Sequence, residues 1–439
     1  MGSAASAALE MGVVVTADDA SIPVTIQLTT LPSGLRVATE RVTSALSVAT
    51  GVWVGVGARD EPEELSGVSH FLEHLLFKGT AERSAQDIAR AVDRVGGDMN
   101  AFTTKEYTAY YSRLPATQMR LGLEILGDVL TMPALRADDV ESERQVILEE
   151  LAMDDDSPDD VAFRLLAARL FVDHPLGRST AGDRATVEAI TPDQIRHFHD
   201  QWYRAANMVL AVVGPVEHDE VLADVEECFA RLTSGGTPPV RERPNGTRPG
   251  FHAELDDTEQ VHLCIGLRGV ERTDPDRDAL DVANHILGGG VSSRLFEEIR
   301  ERRGLAYSVY SGVTSYDDGG SLSIYAGTQP EHAPEVARLV TSCVAEFRSD
   351  GVSDEELDVA RGFLAGSYVL GLEDTGARMG RIAGQLTTLG EIRPVEEQVA
   401  RWHAVDLDDV SRVSARVFDD QGVTVALGPG VDALAGLFP

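Results

Sequence analysis

The chain repeats itself, and a repeated chain has to fold as copies of one module. The segments Ile190-Thr-Pro-Asp-Gln-Ile and Met208-Val-Leu-Ala-Val-Val-Gly-Pro215 are answered by Val405-Asp-Leu-Asp-Asp-Val and Val423-Thr-Val-Ala-Leu-Gly-Pro429, with Gly428 standing 214 residues after Gly214. A second correspondence joins Asp138-Asp-Val-Glu-Ser-Glu-Arg144 to Glu355-Glu-Leu-Asp-Val-Ala-Arg361 at an offset of 217. Self-similarity at a fixed offset marks a duplicated supersecondary unit. The length agrees, since 439 residues exceed what one core usually holds. Between the copies, residues 234–250 collect Gly235-Gly236, Pro238-Pro239, Asn245-Gly246 and Pro249-Gly250. Such breakers read as an interdomain linker. The expected organisation is a flexible leader over 1–24, a first domain over 25–233, the linker, and a homologous domain over 251–439.

Inside the first copy, short apolar or Thr/Val-rich runs alternate with helical patterns. Thr25–Leu31 and Leu35–Val42 flank Pro32-Ser33-Gly34 as a hairpin, and Ala45–Val56 reads as a strand. Glu61–Glu64 reads as an acidic loop. Ser84 is placed to cap a helix that Gly96-Gly97 ends, and Asp98–Arg113 reads as one strand. Helical patterns cover 116–130, 138–153 and 158–171, Thr191 opens another capped helix, and 207–215 is a buried strand. The fold class expected is α+β, each domain a mainly antiparallel sheet covered by helices.

Chemistry concentrates between Ser69 and Thr80. On a helix His70 and His74 lie at i and i+4 and project from one face, near enough to share an ion, with Glu73 beside them. Their neighbours Phe71, Leu72, Leu75, Leu76 and Phe77 are apolar, so the polar groups enter apolar surroundings and need partners. Two neutral imidazoles suit zinc, and a carboxylate next to them can take a proton from water that zinc has acidified to a pKa near about 7. His-x-x-Glu-His is the inverted order of the commoner zinc helix. Further on, Glu143 and Glu150 are seven residues apart, two turns along one helical face. At the repeat offset, Asn284 and Gly288 stand opposite the histidines, and Ala360 and Ser367 opposite the two glutamates. The second copy has therefore lost the candidate ligands, and one metal ion per chain is expected.

A net charge of −34 repels nucleic acid and anionic membrane surfaces and favours cationic ligands, so basic peptides are expected to be preferred, with Asp154–Asp160 as acidic lining. Three scattered cysteines in apolar contexts read as reduced core residues of a cytoplasmic protein. No run of residues is long and apolar enough for a membrane span, and residues 1–24 lack the basic start and apolar centre of a secretory signal.

His70-Phe-Leu-Glu-His74 followed by Glu143-Arg-Gln-Val-Ile-Leu-Glu-Glu150, with 75 residues between His74 and Glu150, resembles the inverted-motif zinc peptidases of pitrilysin and the mitochondrial processing peptidase. The likeness is closest to the short two-domain branch. It implies two domains facing each other around a cavity, and a zinc endopeptidase that cleaves unfolded peptides or leader sequences by metal-activated water attack. By the same resemblance His70, His74 and Glu150 are the zinc ligands, Glu73 is the general base, and Glu143 supports the metal helix as a further catalytic residue. Glu149 competes with Glu150 for the third position. Gly96-Gly-Asp-Met-Asn-Ala-Phe-Thr-Thr104 is similar to the family's substrate-binding edge, which assigns Asn100 and Ala101 to the peptide backbone. Arg300-Glu-Arg-Arg-Gly-Leu-Ala-Tyr307 is similar to the Arg and Tyr that the family brings to the bound peptide, here Arg300 and Tyr307, with Arg302 and Arg303 as alternatives. The branch also implies a homodimer or a heterodimer with a homologue lacking the motif. Some relatives are structural or assembly subunits without catalysis, which is the alternative function.

Overall fold

A computed structural model describes residues 26–418 and 422–438. The expected leader lies outside the described residues. The chain forms two compact units that do not follow chain order. The first takes residues up to Val146, then Ala185–Pro239 and Gly371–Pro394. The second takes Ile147–Arg184, Val240–Leu370 and Val395 onward. The chain thus leaves the first unit at Pro239, inside the breaker-rich stretch, and a later stretch returns to it. Among the described residues no helix is long and apolar enough to cross a membrane.

The first unit holds a six-stranded sheet in the order β1-β2-β6-β3-β5-β4. Its strands are β1 (Ile26–Thr30), β2 (Arg36–Arg41), β3 (Ser47–Val54), β4 (Asp98–Thr103), β5 (Thr108–Pro115) and β6 (Met208–Gly214). Only the β2–β6 pairing is parallel. β6 is an unbroken apolar run buried along its whole length, as a strand covered on both faces must be. The helix Met119–Thr131 packs over β3 and β5. The helix Thr375–Thr388, from late in the chain, packs on β3 and β6, where Met379, Ile382 and Ala383 join Trp53, Ala109 and Ala211 in one apolar cluster.

The second unit holds β7 (Gly250–Glu254), β8 (Val261–Gly269), β9 (Ala306–Ser315), β10 (Gly320–Thr328) and β11 (Val423–Leu427) in the order β7-β11-β8-β10-β9. That is the order of β2-β6-β3-β5-β4, and its one parallel pair, β7–β11, corresponds to β2–β6. The duplication read from the sequence is therefore a duplication of topology, and each unit is a mainly antiparallel sheet with helices. Here the helix Pro158–Leu170, from early in the chain, packs on β8 and β11.

Two local expectations changed. Asp98–Arg113 is not one strand but the hairpin β4–β5. Its turn contains no Gly, Pro or Asn. Thr104 makes it instead, its Oγ1 accepting from the amides of Glu106 at 3.2 Å and Tyr107 at 3.1 Å. The consequence is that β4 becomes the edge of the sheet. Glu61, read as part of an acidic loop, is buried at 4% exposure and caps the helix Val68–Leu76. Its two carboxylate oxygens accept from the amides of Gly67 and Ser69, each at 2.7 Å, while Gly67 turns the chain at φ +96°, a conformation glycine adopts without strain. Glu61→Ala is expected to lower stability by about 1–3 kcal/mol, the scale of lost charge-assisted bonds to buried amides. Thermal melting checks it, and an unchanged midpoint would show that water satisfies that helix end.

Candidate metal centre

The helix Val68–Leu76 buries Val68, Phe71, Leu72, Leu75 and Leu76 and leaves His70, Glu73 and His74 half-buried on its other side. The two imidazole rings lie 4.7 Å apart between centroids. Glu150 meets them from the helix Ala137–Asp155, and one ligand atom from each of His70, His74 and Glu150 falls within 4.8 Å of the others. Glu150 is carried on the same helix as Glu143, about two turns further along. Glu149 is exposed and is not part of the cluster.

Several contacts hold the two helices in register. The buried Glu143 places one carboxylate oxygen 3.3 Å from His74 Nδ1 and the other 2.5 Å from Lys78 Nζ. An imidazole engaged through Nδ1 offers Nε2 as its ligand atom. Arg144 donates to the carbonyls of Val187 and of Ile190, the latter at 2.8 Å, and its guanidinium sits 5.4 Å from the centre of the Phe71 ring. Burial, and secondarily the neighbouring His74, lowers the pKa of His70 to about 4. At neutral pH that imidazole is uncharged, the form a metal requires.

Two imidazoles and one carboxylate form the donor set of a catalytic zinc site, which keeps a coordination position open. The residues present fit the ion. Glu73 lies between the histidines on their helix, and its Oε2 accepts from Thr103 Oγ1 at 2.6 Å. Behind it, the fully buried Tyr110 shares a 2.8 Å hydrogen bond with Tyr203, and Phe77 lies 6.1 Å from Tyr110 ring to ring. Burial, and in lesser part the charge of Glu73, raises the pKa of both phenols, so they stay protonated.

Asn100 and Ala101 lie on the edge strand β4 with opposite orientations. Ala101 is buried and paired with Tyr110, whereas Asn100 is exposed, paired with Tyr111, and accepts from the Ala101 amide at 2.8 Å through Oδ1. Arg300 and Tyr307 belong to the second unit and contact one another. The guanidinium donates to the Tyr307 carbonyl at 2.8 Å and stacks over the Tyr307 ring at 4.5 Å, leaving that side chain 80% exposed. Arg302 and Arg303 pair instead with Glu297 and Glu298. Sequence reasoning overlooked Thr103 and Lys78. Lys78 could have been found, four residues after His74 and just past the end of its helix. Thr103 could not, because its role depends on the hairpin.

A family model described as Insulinase (Peptidase family M16) matches residues 36–184, and one described as Peptidase M16 inactive domain matches residues 189–364. The chain is 42% identical over 406 residues to a protein of Mycobacterium leprae named an uncharacterized zinc protease, covering 91% of each chain. It is 35% identical over 404 residues to an uncharacterized zinc protease of Bacillus subtilis, covering 91% of this chain and 97% of that one. It is 32% identical over 417 residues to a probable beta subunit of the mitochondrial processing peptidase of Arabidopsis thaliana, covering 92% of this chain and 78% of that one. Among solved structures, a peptidase M16 inactive domain of Pseudomonas fluorescens superposes with a TM-score of 0.87 at 25% identity, covering 92% of this chain and 98% of that one. By sequence and by fold, this chain belongs to peptidase family M16.

Proposed function

We propose that the protein is a zinc endopeptidase that cleaves extended, unfolded peptides. The observation that carries this reading is the single-helix arrangement of His70, Glu73 and His74 with Glu150 closing the donor set. When bound, zinc supplies Lewis-acid polarisation and makes a water acidic enough to lose its proton near neutral pH. Glu73 is the residue to take that proton, because it stands next to both ligands and Thr103 fixes one of its oxygens. The same carboxyl group then returns the proton to the amine that leaves. Glu143 and Lys78 steady His74, so the ligand geometry does not have to be assembled at each turnover.

β4 ends its sheet, and the outer edge of a terminal strand presents backbone groups that an extended peptide can pair with. A folded protein offers no free strand of that kind, which restricts the substrate to unfolded segments. A quenched-fluorescent peptide tests the reading. Hydrolysis is expected to stop when the protein is dialysed against a chelator and to return with one equivalent of zinc. Turnover that survives chelation would contradict the zinc dependence, and no turnover in the zinc-loaded protein would contradict the whole reading and favour the non-catalytic alternative.

A further inference from the structure

The second unit has a gap over the middle of its sheet. β8 is the central strand, and Ile265 stands halfway along it on the face that carries the helix Ala333–Asp350, yet that side chain is only partly buried. A cavity of about 440 Å³ reaches it. Strand pairing builds the floor. Thr424 of β11 and Ile324 of β10 stand in register on either side of Ile265, and Leu267, two residues along β8, shares their face. Two aromatic rings border the space: Phe418, 5.4 Å from Phe347 between centroids, and Phe438, stacked on Phe251 at 5.6 Å.

The helix above explains the gap. Thr341, Ala345 and Ser349 recur at every fourth position and line the cavity, so one side of the helix offers only small side chains to the floor. Its larger residues go elsewhere, since Val336, Val340 and Phe347 are packed into an apolar cluster with Leu280 and Leu322. A second cluster joins Val261, Leu263, Ala426 and Leu434, with Phe438 against it. Neither covers Ile265 fully. At the rim stands Arg348, the one charged side chain among the described residues that line the cavity. It is exposed, a local cation in a chain whose net charge is −34.

We infer that this cavity binds a free fatty acid, with the aliphatic chain over the floor of Thr424, Ile265 and Ile324 and the carboxylate on Arg348. The volume falls in the range of small-molecule sites, about 300–1,000 Å³, and the lining is mainly apolar with a few polar groups, as such sites are. A chain laid there takes the partly buried Ile265 and Val344 out of water, which supplies the driving force. A guanidinium carries five donors in a planar fork, so Arg348 can take a carboxylate alongside any other partner. A cationic head group would be repelled there. The inference is independent of the peptidase reading, because none of the three metal donors lines the cavity.

Isothermal titration of the full chain with dodecanoate, kept below its micelle concentration, tests it. One equivalent is expected to bind, and dodecyltrimethylammonium, with the same chain and the opposite head-group charge, is expected to bind at least about tenfold more weakly. Arg348→Gln should weaken dodecanoate about ten- to hundredfold, the scale of hydrogen bonds between charged groups, and should not weaken the cationic amphiphile. Arg338→Gln, at an exposed arginine of the same helix outside the cavity, should change neither. Ala345→Trp places a ring in the cavity from an exposed position, so it should abolish binding while circular dichroism and melting stay as in the original protein. No binding by the folded protein, equal affinity for the two head groups, or unchanged binding in Ala345→Trp would overturn the inference. So would association with anionic lipid vesicles without binding of free dodecanoate, which would mark a membrane contact instead. None of these outcomes bears on peptide hydrolysis, so the two readings stand or fall separately.

Discussion

Glu73→Gln is expected to keep its zinc and lose about two to four orders of magnitude in kcat, the usual contribution of a positioned general base. Glutamine has the shape of glutamate and its amide oxygen can still accept from Thr103, so the helix and its neighbours have no reason to move. What disappears is the ability to hold a proton. Because the interaction is needed only as bonds change, kcat should fall while KM stays near its original value. Zinc content by elemental mass spectrometry and steady-state kinetics on one peptide check both halves. Turnover at the original rate would remove Glu73 from the chemistry.

The second large effect concerns the ion itself. His70→Ala or Glu150→Ala removes one of three donors, and the expected outcome is a protein that emerges from dialysis without zinc and hydrolyses nothing above the uncatalysed rate. Glu143→Gln should behave differently, because Glu143 touches His74 and Lys78 and is not one of the three clustered donors. Loss of such support weakens metal binding by about 10–100-fold, which excess zinc can overcome. Thermal melting separates the cases. Zinc at a thousand times its dissociation constant stabilises a folded site by about 4 kcal/mol, so the original protein and, at higher zinc, Glu143→Gln should melt later with the ion present. His70→Ala should not respond. A zinc-dependent shift of full size in His70→Ala would mean that the stabilising site lies elsewhere.

Much of this architecture is legible in the sequence wherever the determinant is local. Ser84 caps its helix through Asp87, Thr191 does the same through Gln194, and Gly96 ends the first of these helices at φ +66°. The repeat offsets anticipated two copies of one module, and the family resemblance carried by the histidine pair and the later glutamates named His70, His74 and Glu150, which lie together in the structure. The features that escaped depend on partners distant in the chain. Glu61 looks like any surface acid until its carboxylate is seen against the amides of Gly67 and Ser69. The β4–β5 turn is built by one threonine side chain and carries none of the usual turn residues. Thr103 reaches Glu73 from β4, which that turn folds back beside β5 and which packs against the metal helix. The helices Pro158–Leu170 and Thr375–Thr388 pack in units whose strands lie elsewhere in the chain, an exchange that a linear reading of two copies does not reveal.

The central claim is that a single ion is held by His70, His74 and Glu150. Diffraction from crystals grown with zinc, recorded on both sides of the zinc absorption edge, tests it most directly. The account predicts one strong anomalous peak per chain, within bonding distance of both imidazoles and the Glu150 carboxylate. A strong peak elsewhere, with those three side chains apart, would contradict it.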